Sequence, residues 1–457
     1  MSQMNWEKLL SRRRYAGEDI GNVPEEFARG AFQRDYDRIV FSSAFRRLQN
    51  KTQVMPLPES DFVHTRLTHS LETSCVGRSL GRTVGKDILQ KYPELEKQSG
   101  VNEANFGDIV AAACLAHDIG NPPFGHSGED AISAYFQSSE AQPFLQNLTE
   151  TQKADLQNFE GNAAGFRILT HTYPAQSNLP GGLSLTYTTL ATFTKYPKES
   201  LPRFKGSSRT SEKKYGFFQS EKTWFGQLAD ELGMLPKGNP EEVFYHRHPL
   251  AFLVEAADDI CYRIIDFEDG CKLGLIPPEK AQELLKAVLN ESPERKSRLT
   301  FYDWREEIGV LRAKIINKLI NETAAIFIQH EPEILNGTYD QPLIAEVSSK
   351  EALDQIKRIS IEAIYKNRPV LEIEAAGFEV LGGLLDAFLK AVFQPESRRH
   401  QKLLDLIPDQ YLDANRQVNP NEYERILQIT DFISGLTDQA AINLYRKIKG
   451  ISLPKVY

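Results

Sequence analysis

Apolar residues recur at three- and four-residue spacing along most of this chain, and this periodicity constrains its fold more than any other feature. The pattern is clearest at residues 105–118, 249–267, 304–330 and 374–393. Such spacing places apolar side chains on one face of an α-helix. Alternating apolar and polar residues, which are typical of strands, are nearly absent over useful lengths, and we find no internal repeat. The sequence therefore predicts an all-α fold.

The chain shows no pattern for crossing a membrane or for secretion. None of its 457 residues lies in an uncharged apolar run of the roughly 18 that a membrane span needs. Its start, MSQMNWEKLLSRRRY, lacks the apolar core and the cleavage site of a signal peptide. The four cysteines form no CxxC pair, which indicates reduced, buried thiols: Cys75, Cys114, Cys261 and Cys271. We expect a cytoplasmic protein with no membrane partner.

Charge is distributed unevenly along the chain. The net charge of −8 does not favour nucleic acid as a general partner, so a polyphosphate ligand would need a locally basic pocket. One candidate is the interval 195–214, where Glu199 and Glu212 are far outnumbered by the basic residues Lys195, Lys198, Arg203, Lys205, Arg209, Lys213 and Lys214. We predict a basic loop insertion around 197–222. It is either a solvated loop face or a rim for a polyanion.

A His-Asp pair, His117-Asp118, ends an apolar helical pattern where the chain turns at Gly120 and Pro122. Two adjacent ligands at a helix end can point into one space. A metal site of nitrogen and oxygen ligands needs further imidazoles or carboxylates from other elements. His69 upstream and Asp258 downstream are the candidates. His64 lies five residues before His69 and so does not share its helix face.

The segment around Asp258 carries a polar stripe. Asp258, Tyr262 and Asp266 follow i, i+4, i+8 spacing and so lie on one face of a predicted helix. Asp259 is out of phase with this stripe, and we therefore choose Asp258 as the ligand. The alternative is an ordinary amphipathic helix whose polar face is exposed to solvent.

Taken together, His69, His117-Asp118 and Asp258 resemble the H…HD…D signature of the HD-superfamily phosphohydrolases. A longer match resembles bacterial dGTPases and, more distantly, the human SAM-and-HD-domain dNTP triphosphohydrolase. Six words at residues 35–270 carry it: DYDRIVFSSAFRRLQNKTQV, HTRLTHSLE, HDIGNPPFGHSGE, NFEGNAAGFRIL, FTKYP and RHPLAFLVEAADDICYRIIDFEDG. The word HDIGNPPFGHSGE is highly specific. Beyond about residue 275 the likeness is in helical character, and no residue is transferred there.

The resemblance implies an HD-domain helical fold with additional C-terminal helices. We expect an HD core at residues 1–275 and a helical region at 276–457 packed on it. It also implies one divalent metal ion, such as Mg, Mn, Fe, Ni or Zn, held by His69, His117, Asp118 and Asp258. The implied reaction places water on the α-phosphorus of a deoxynucleoside triphosphate, dGTP foremost, and releases intact tripolyphosphate.

Catalytic and substrate-binding roles follow from the same resemblance. His126 and Glu129, at i, i+3 spacing, are expected to act as a general acid or base and its carboxylate partner. Alternatively, His126 faces the core or caps a helix, and Glu129 belongs to a capping box. Phosphate contacts are expected from Arg66, Lys195, Tyr196 and Lys214, and sugar contacts from Gln53, Tyr262 and Asp266. Asn121 and Phe159 replace histidines of the human relative, which fits the bacterial branch.

Two other functions remain open from the sequence. One is another HD phosphohydrolase, such as a nucleotidase or an alarmone hydrolase. The other is a nucleotide-sensing scaffold that binds single-stranded DNA through basic loops, including Arg398-Arg399-His400. The expected partners are the dNTP substrate, other copies of this chain in an even-numbered homo-oligomer such as a tetramer or hexamer, and a single-stranded DNA or nucleotide effector.

Overall fold

The computed structural model describes residues 3–14, 30–53, 64–171, 182–204, 206–239, 242–291, 301–413 and 415–452. Within these ranges there are α-helices and isolated β-bridges but no β-strand, which confirms the all-α prediction. The four segments with the clearest periodicity all become helices. No helix in the described ranges is both long and apolar enough to cross a bilayer.

The helices up to residue 193 are α1 Trp6–Leu9, α2 Ala31–Phe41, α3 Ser43–Arg47, α4 Arg66–Lys91, α5 Glu94–Ser99, α6 Glu103–Ala116, α7 Gly125–Gln137, α8 Gln142–Leu145, α9 Glu150–Gln157, α10 Gly161–Thr170 and α11 Tyr187–Phe193. The later ones are α12 Lys222–Glu231, α13 Ala251–Lys272, α14 Pro278–Val288, α15 Trp304–Gln329, α16 Glu331–Leu335, α17 Lys350–Ser360, α18 Arg368–Phe393, α19 Arg398–Leu404, α20 Glu422–Ser434 and α21 Asp438–Ile448. Short 3₁₀ helices lie at Leu48–Asn50, Thr210–Glu212, Leu343–Ala345 and Asp409–Tyr411, and Ile361–Tyr365 is a π-helix.

A stripe of small residues brings α4 and α6 close together. Gly77, Gly81 and Gly85 lie four residues apart on α4 and so share one face. A Cβ atom at Gly81 would lie 2.6 Å from the backbone oxygen of Phe106, and one at Gly77 would lie 2.5 Å from the Cys114 sulfur. Only glycine permits this approach. It sets the distance between the start of α4 and the end of α6, where the predicted metal ligands lie.

Two apolar clusters form the interior. The first runs from Met4 to Ile364 and so includes residues on both sides of position 275. The second joins helices α7–α10 to α18–α21. The predicted boundary at 275 therefore stays a prediction, while apolar contacts link the C-terminal helices to the HD region on more than one face.

The cysteines agree with the sequence interpretation except at one position. All four are free thiols, and Cys114, Cys261 and Cys271 are buried. Cys75 is exposed, which corrects the expectation of four buried thiols. It lies on the side of α4 that faces away from α6, where helical periodicity alone does not reveal whether another element covers the residue.

Candidate active site

A cavity of about 530 Å³ opens where α4, the turn after α6, α7, α13 and the segment after α11 meet. Twelve of the predicted site residues line it: Gln53, Arg66, His69, His117, Asp118, His126, Glu129, Lys195, Tyr196, Lys214, Asp258 and Tyr262. Asp266 alone among the predicted set does not. Residues that are up to 209 positions apart in sequence therefore converge on one space.

Helix α4 places Arg66 and His69 at the cavity. The helix begins with a capping box in which the Thr65 and Thr68 side chains each accept from the other's backbone N–H. The first turn is thereby fixed, and His69, 1% exposed, points at the cavity from the second turn. Arg66 Nη1 donates to Asp118 Oδ2 at 2.7 Å. The predicted phosphate clamp and the His-Asp pair are therefore in direct contact.

The His117-Asp118 pair lies in a tight turn. His117 Nδ1 donates to the backbone oxygen of Cys114 at 2.7 Å, which leaves Nε2 as the lone-pair nitrogen facing the cavity. Asp118 accepts from Arg66 and, at 2.5 Å, from the Asn121 side chain. The turn needs glycine at position 120, since a Cβ there would lie 2.1 Å from the backbone nitrogen of Gly165.

Helix α13 supplies the third ligand group. Asp258 Oδ1 lies 3.2 Å from His69 Nε2 and 3.3 Å from His117 Nε2, and Oδ2 accepts from Lys195 Nζ at 2.7 Å. Burial would raise the pKa of Asp258, but the Lys195 ammonium and the His117 and His69 imidazoles outweigh it and hold the pKa well below its ordinary value. Asp259 lines the same cavity without contacting the imidazoles.

These groups fit a divalent metal ion. One ligand atom each from His69, His117 and Asp258 lie within 4.8 Å of one another. Two imidazole nitrogens and a carboxylate oxygen suit first-row divalent metals. The fourth predicted ligand, Asp118, lies beside this group, with Oδ1 3.5 Å from His117 Nε2, while Arg66 and Asn121 orient its carboxylate.

His126 and Glu129 both line the cavity, but no hydrogen bond joins them in the described structure. Glu129 Oε1 accepts from the Gly161 backbone N–H at 2.8 Å, and its Oε2 lies 3.6 Å from Lys214 Nζ. His126 is exposed towards the cavity. Desolvation within the cavity, with the Lys214 and Arg66 charges, lowers the pKa of His126 and so favours its neutral imidazole.

Sequence reasoning missed Glu160, which completes a carboxylate pair around Lys214. Glu160 Oε1 accepts from Lys214 Nζ at 2.8 Å. Burial and the nearby Glu129 carboxylate raise the pKa of Glu160 to about 7. The word NFEGN contains this residue, but nothing in its spacing relates it to Lys214.

At the opposite end of the cavity, Tyr262 meets a residue from the C-terminal region. The Tyr262 and Tyr365 rings stack with centroids 5.7 Å apart and 6° between planes. Tyr365 also donates to Asp266 Oδ2 at 2.6 Å, and Asp266 is only 1% exposed. Asp266 therefore lies behind the two rings. Gln53 Oε1 is buried and has no hydrogen-bond partner among the described residues.

The C-terminal residues of the cavity were absent from the predicted site. Ile361, Tyr365, Val370 and Glu374 line it from the π-helix and from the first turns of α18. The Asn-Arg-Pro sequence at 367–369 marks the helix start, because proline is favoured in a first helical turn. That signal locates a helix boundary, but it carries no information about which cavity the boundary faces.

The predicted basic insertion is mostly irregular, and parts of it are buried. Lys198 and Glu199 are 2% and 3% exposed, and Lys198 pairs with Phe244 in an isolated β-bridge. Lys205 lies outside the described residues. His64, set apart from the metal site by its spacing, instead bonds Asp269 at 2.6 Å and Glu72 at 3.2 Å.

Comparison with known proteins defines the class to which this site belongs. Residues 66–155, which contain His69, His117 and Asp118, match the HD domain family. Residues 345–447, which contribute Tyr365 and Glu374, match the phosphohydrolase-associated domain family. The protein is an HD-superfamily phosphohydrolase.

Relatives that match this chain over nearly its full length show the family to which it belongs. A deoxyguanosinetriphosphate triphosphohydrolase-like protein from Synechocystis sp. is 45% identical over 98% of this chain and 100% of the relative. One of the same description from Pseudomonas aeruginosa is 38% identical over 99% and 100%. A deoxyguanosinetriphosphate triphosphohydrolase from Salmonella paratyphi A is 30% identical over 98% of each chain. The chain belongs to the HD-superfamily dGTP triphosphohydrolase family, which confirms the resemblance read from the motifs.

Proposed function

We propose that this protein hydrolyses deoxynucleoside triphosphates, dGTP foremost, to a deoxynucleoside and tripolyphosphate. The observation that carries the proposal is the convergence of His69, His117 and Asp258 within 4.8 Å beside two cations, Arg66 and Lys195. A metal-ligand group next to fixed positive charge suits a phosphate ester. The names of the full-length relatives support the same substrate class.

In this proposal His69, His117, Asp118 and Asp258 would hold one divalent ion. Such an ion would neutralise phosphate oxygens and acidify a water molecule. Arg66, Lys195 and Lys214 are the arginine and lysine side chains that line the cavity, and together with the divalent ion they would supply the positive charge that the phosphates meet. Tyr196 offers a hydroxyl at the same wall.

The chemistry assigned to the protein is proton transfer. Water adds to the α-phosphorus, the bond between that phosphorus and the nucleoside 5′-oxygen breaks, and the water oxygen stays with the tripolyphosphate. The neutral imidazole of His126 serves as the general base or, once protonated, as the general acid. Glu129, held by the Gly161 N–H, lies one turn further along α7 and is the proposed carboxylate partner of His126.

Product identity tests the proposed function directly. We expect metal-reconstituted protein, incubated with each dNTP alone and in pairs, to release tripolyphosphate and a nucleoside, separated by anion-exchange chromatography. Orthophosphate or pyrophosphate would instead identify a different HD phosphohydrolase. Salt-dependent binding of single-stranded DNA without nucleotide turnover would identify a binding protein and overturn the proposal.

Sugar selection should depend on Tyr262, because its ring lines the cavity on the same helix face as Asp258. A helix rise of about 1.5 Å per residue places Tyr262 about 6 Å beyond Asp258 along the helix axis. A ring at that position leaves no room for a ribose 2′-hydroxyl. We expect dGTP to be cleaved far faster than GTP, and Tyr262→Ala to narrow the gap in kcat/KM. Arg66→Ala should weaken both substrates about equally.

Gln53 Oε1 and Asp266 Oδ1 have no hydrogen-bond partner among the described residues, whereas Asp266 Oδ2 accepts from the Tyr365 hydroxyl, so the two unpartnered oxygens are the proposed acceptors for a 3′-hydroxyl. Dideoxy-GTP should therefore be a poor substrate, because it leaves buried polar groups unpaired at about 1–3 kcal/mol. Steady-state kinetics on dGTP, GTP and dideoxy-GTP measure both effects. Equal kcat/KM for dGTP and GTP in the wild type would remove Tyr262 from sugar selection.

A further inference from the structure

Asp438 is a buried acid that binds two separate walls of the cavity from the C-terminal region. It is the first residue of α21 and is 1% exposed. Its Oδ2 accepts from the Thr52 backbone N–H at 3.0 Å and from the Thr52 hydroxyl at 2.5 Å, and its Oδ1 accepts from the Phe124 N–H at 3.0 Å. Both carboxylate oxygens therefore accept hydrogen bonds from residues more than 300 positions away in sequence.

The two residues that Asp438 holds adjoin the predicted functional side chains. Thr52 immediately precedes Gln53, whose Oε1 is buried and unpartnered in the described structure. Phe124 precedes α7 by one residue and His126 by two, and its φ of 65° is a left-handed conformation that an aromatic residue rarely adopts. A bond to the Phe124 N–H therefore fixes the turn from which His126 projects.

Neighbouring contacts tie the same elements together. Lys51 Nζ donates to the backbone oxygens of Asn121 at 2.5 Å and Ser434 at 3.0 Å. Arg47 Nη1 donates to the backbone oxygen of Gly435 at 3.0 Å. The turn between α20 and α21 is therefore bound by the segment that leads to Gln53, and one lysine connects it to the turn after the His-Asp pair.

The surroundings of Asp438 suit a carboxylate rather than an apolar side chain, because three hydrogen-bond donors converge on it. Asp438 and Ala441 are the buried residues of α21, and no ion pair to Asp438 is found among the described residues. Burying a carboxylate is costly unless hydrogen bonds compensate, and the three donors to Asp438 in the described structure belong to the cavity walls. A small apolar residue at this position would leave the Thr52 and Phe124 donors without their acceptor.

We propose that Asp438 is a positioning residue that holds Gln53 and His126 at a fixed separation across the cavity. Through it the C-terminal helices set the geometry in which the 3′-hydroxyl is bound and in which water attacks the α-phosphorus. This inference deepens the proposed function and rests on it for its kinetic consequence, whereas the anchoring itself can be measured without turnover.

Hydrogen exchange of the full-length protein tests the anchoring. In Asp438→Asn one carboxylate oxygen becomes an NH2 group, which cannot accept from an N–H donor. We expect exchange of either the Thr52 or the Phe124 amide, whichever faces the new NH2 group, to rise about tenfold or more. The milder Thr52→Val removes only the hydroxyl bond, so the Phe124 amide should exchange at the wild-type rate. Asp431→Asn is the matched control, because Asp431 is also buried and C-terminal but pairs with Arg167 at 2.9 Å.

Kinetics then test the consequence. Asp438→Asn should lower the preference for dGTP over dideoxy-GTP by about tenfold and reduce kcat, with metal content unchanged. Asp431→Asn should reduce thermal stability while leaving that preference intact. Unchanged exchange at Thr52 and Phe124 in Asp438→Asn, or an equal loss of preference in both variants, would overturn the positioning role. A wild type that does not cleave dGTP would overturn the proposed function instead, and the exchange result would still decide whether Asp438 anchors the two walls.

Discussion

Asp258→Ala is expected to remove the bound divalent ion and to lower dGTP turnover by more than about 10³-fold, because a metal contributes several kcal/mol to a phosphoryl transition state. The contacts of Asp258 give a second reason to expect a large effect of this substitution. Asp258 contacts both imidazoles and Lys195, at 3.2, 3.3 and 2.7 Å. Its loss leaves the Lys195 ammonium without that partner beside two histidines. Metal content by elemental analysis and turnover by product release measure the two effects.

The neighbouring Asp259 provides the matched control. Burial raises the pKa of Asp259 to about 6, and it lines the same cavity without touching His69 or His117. Asp259→Ala should therefore keep the metal. His69→Ala and Asp118→Ala should lose it, with helical circular dichroism retained in each. Metal retained in Asp258→Ala and lost in Asp259→Ala would show that the other face of α13 holds the ion.

Replacing His126 with alanine should lower kcat by about 10²–10⁴, the usual effect of losing a general acid or base, with little change in metal content. The position of His126 explains why its replacement should lower kcat without lowering metal content. His126 lies on α7, and its imidazole is not among the three ligand groups that lie within 4.8 Å of one another. Single-turnover measurements at saturating dGTP, alongside elemental analysis, would separate lost chemistry from lost metal.

The adjacent Ser127→Ala serves as the control for His126, since it changes the same turn of α7 without removing a titratable group. It should turn over dGTP at close to the wild-type rate. Near-wild-type kcat in His126→Ala would remove this histidine from the catalytic residues. The proton transfer would then have to be assigned to another group at the cavity, of which Glu129 is nearest in sequence.

Much of the fold follows from short-range pattern. The periodic segments at 105–118, 249–267 and 304–330 become helices Glu103–Ala116, Ala251–Lys272 and Trp304–Gln329, because the spacing of apolar residues and the capping residues are local properties of the chain. The glycine spacing of four on α4 was equally visible in the sequence. However, the spacing does not show which helix packs against these glycines, so the close contact with α6 could not be predicted from it.

The candidate site also has features that the sequence predicted and features that only the tertiary structure determined. Twelve of the thirteen predicted site residues line the cavity, and all of these except Lys214 lie in the quoted words. The stripe on α13 predicts Asp258 as the metal ligand. Tertiary structure alone decided that Tyr365 covers Asp266, that Glu129 bonds Gly161 rather than His126, and that Asp438 holds Thr52 and Phe124. Each of these is a contact between distant segments. Helix periodicity determines which face a side chain occupies, whereas the packing of helices against each other determines what that face meets.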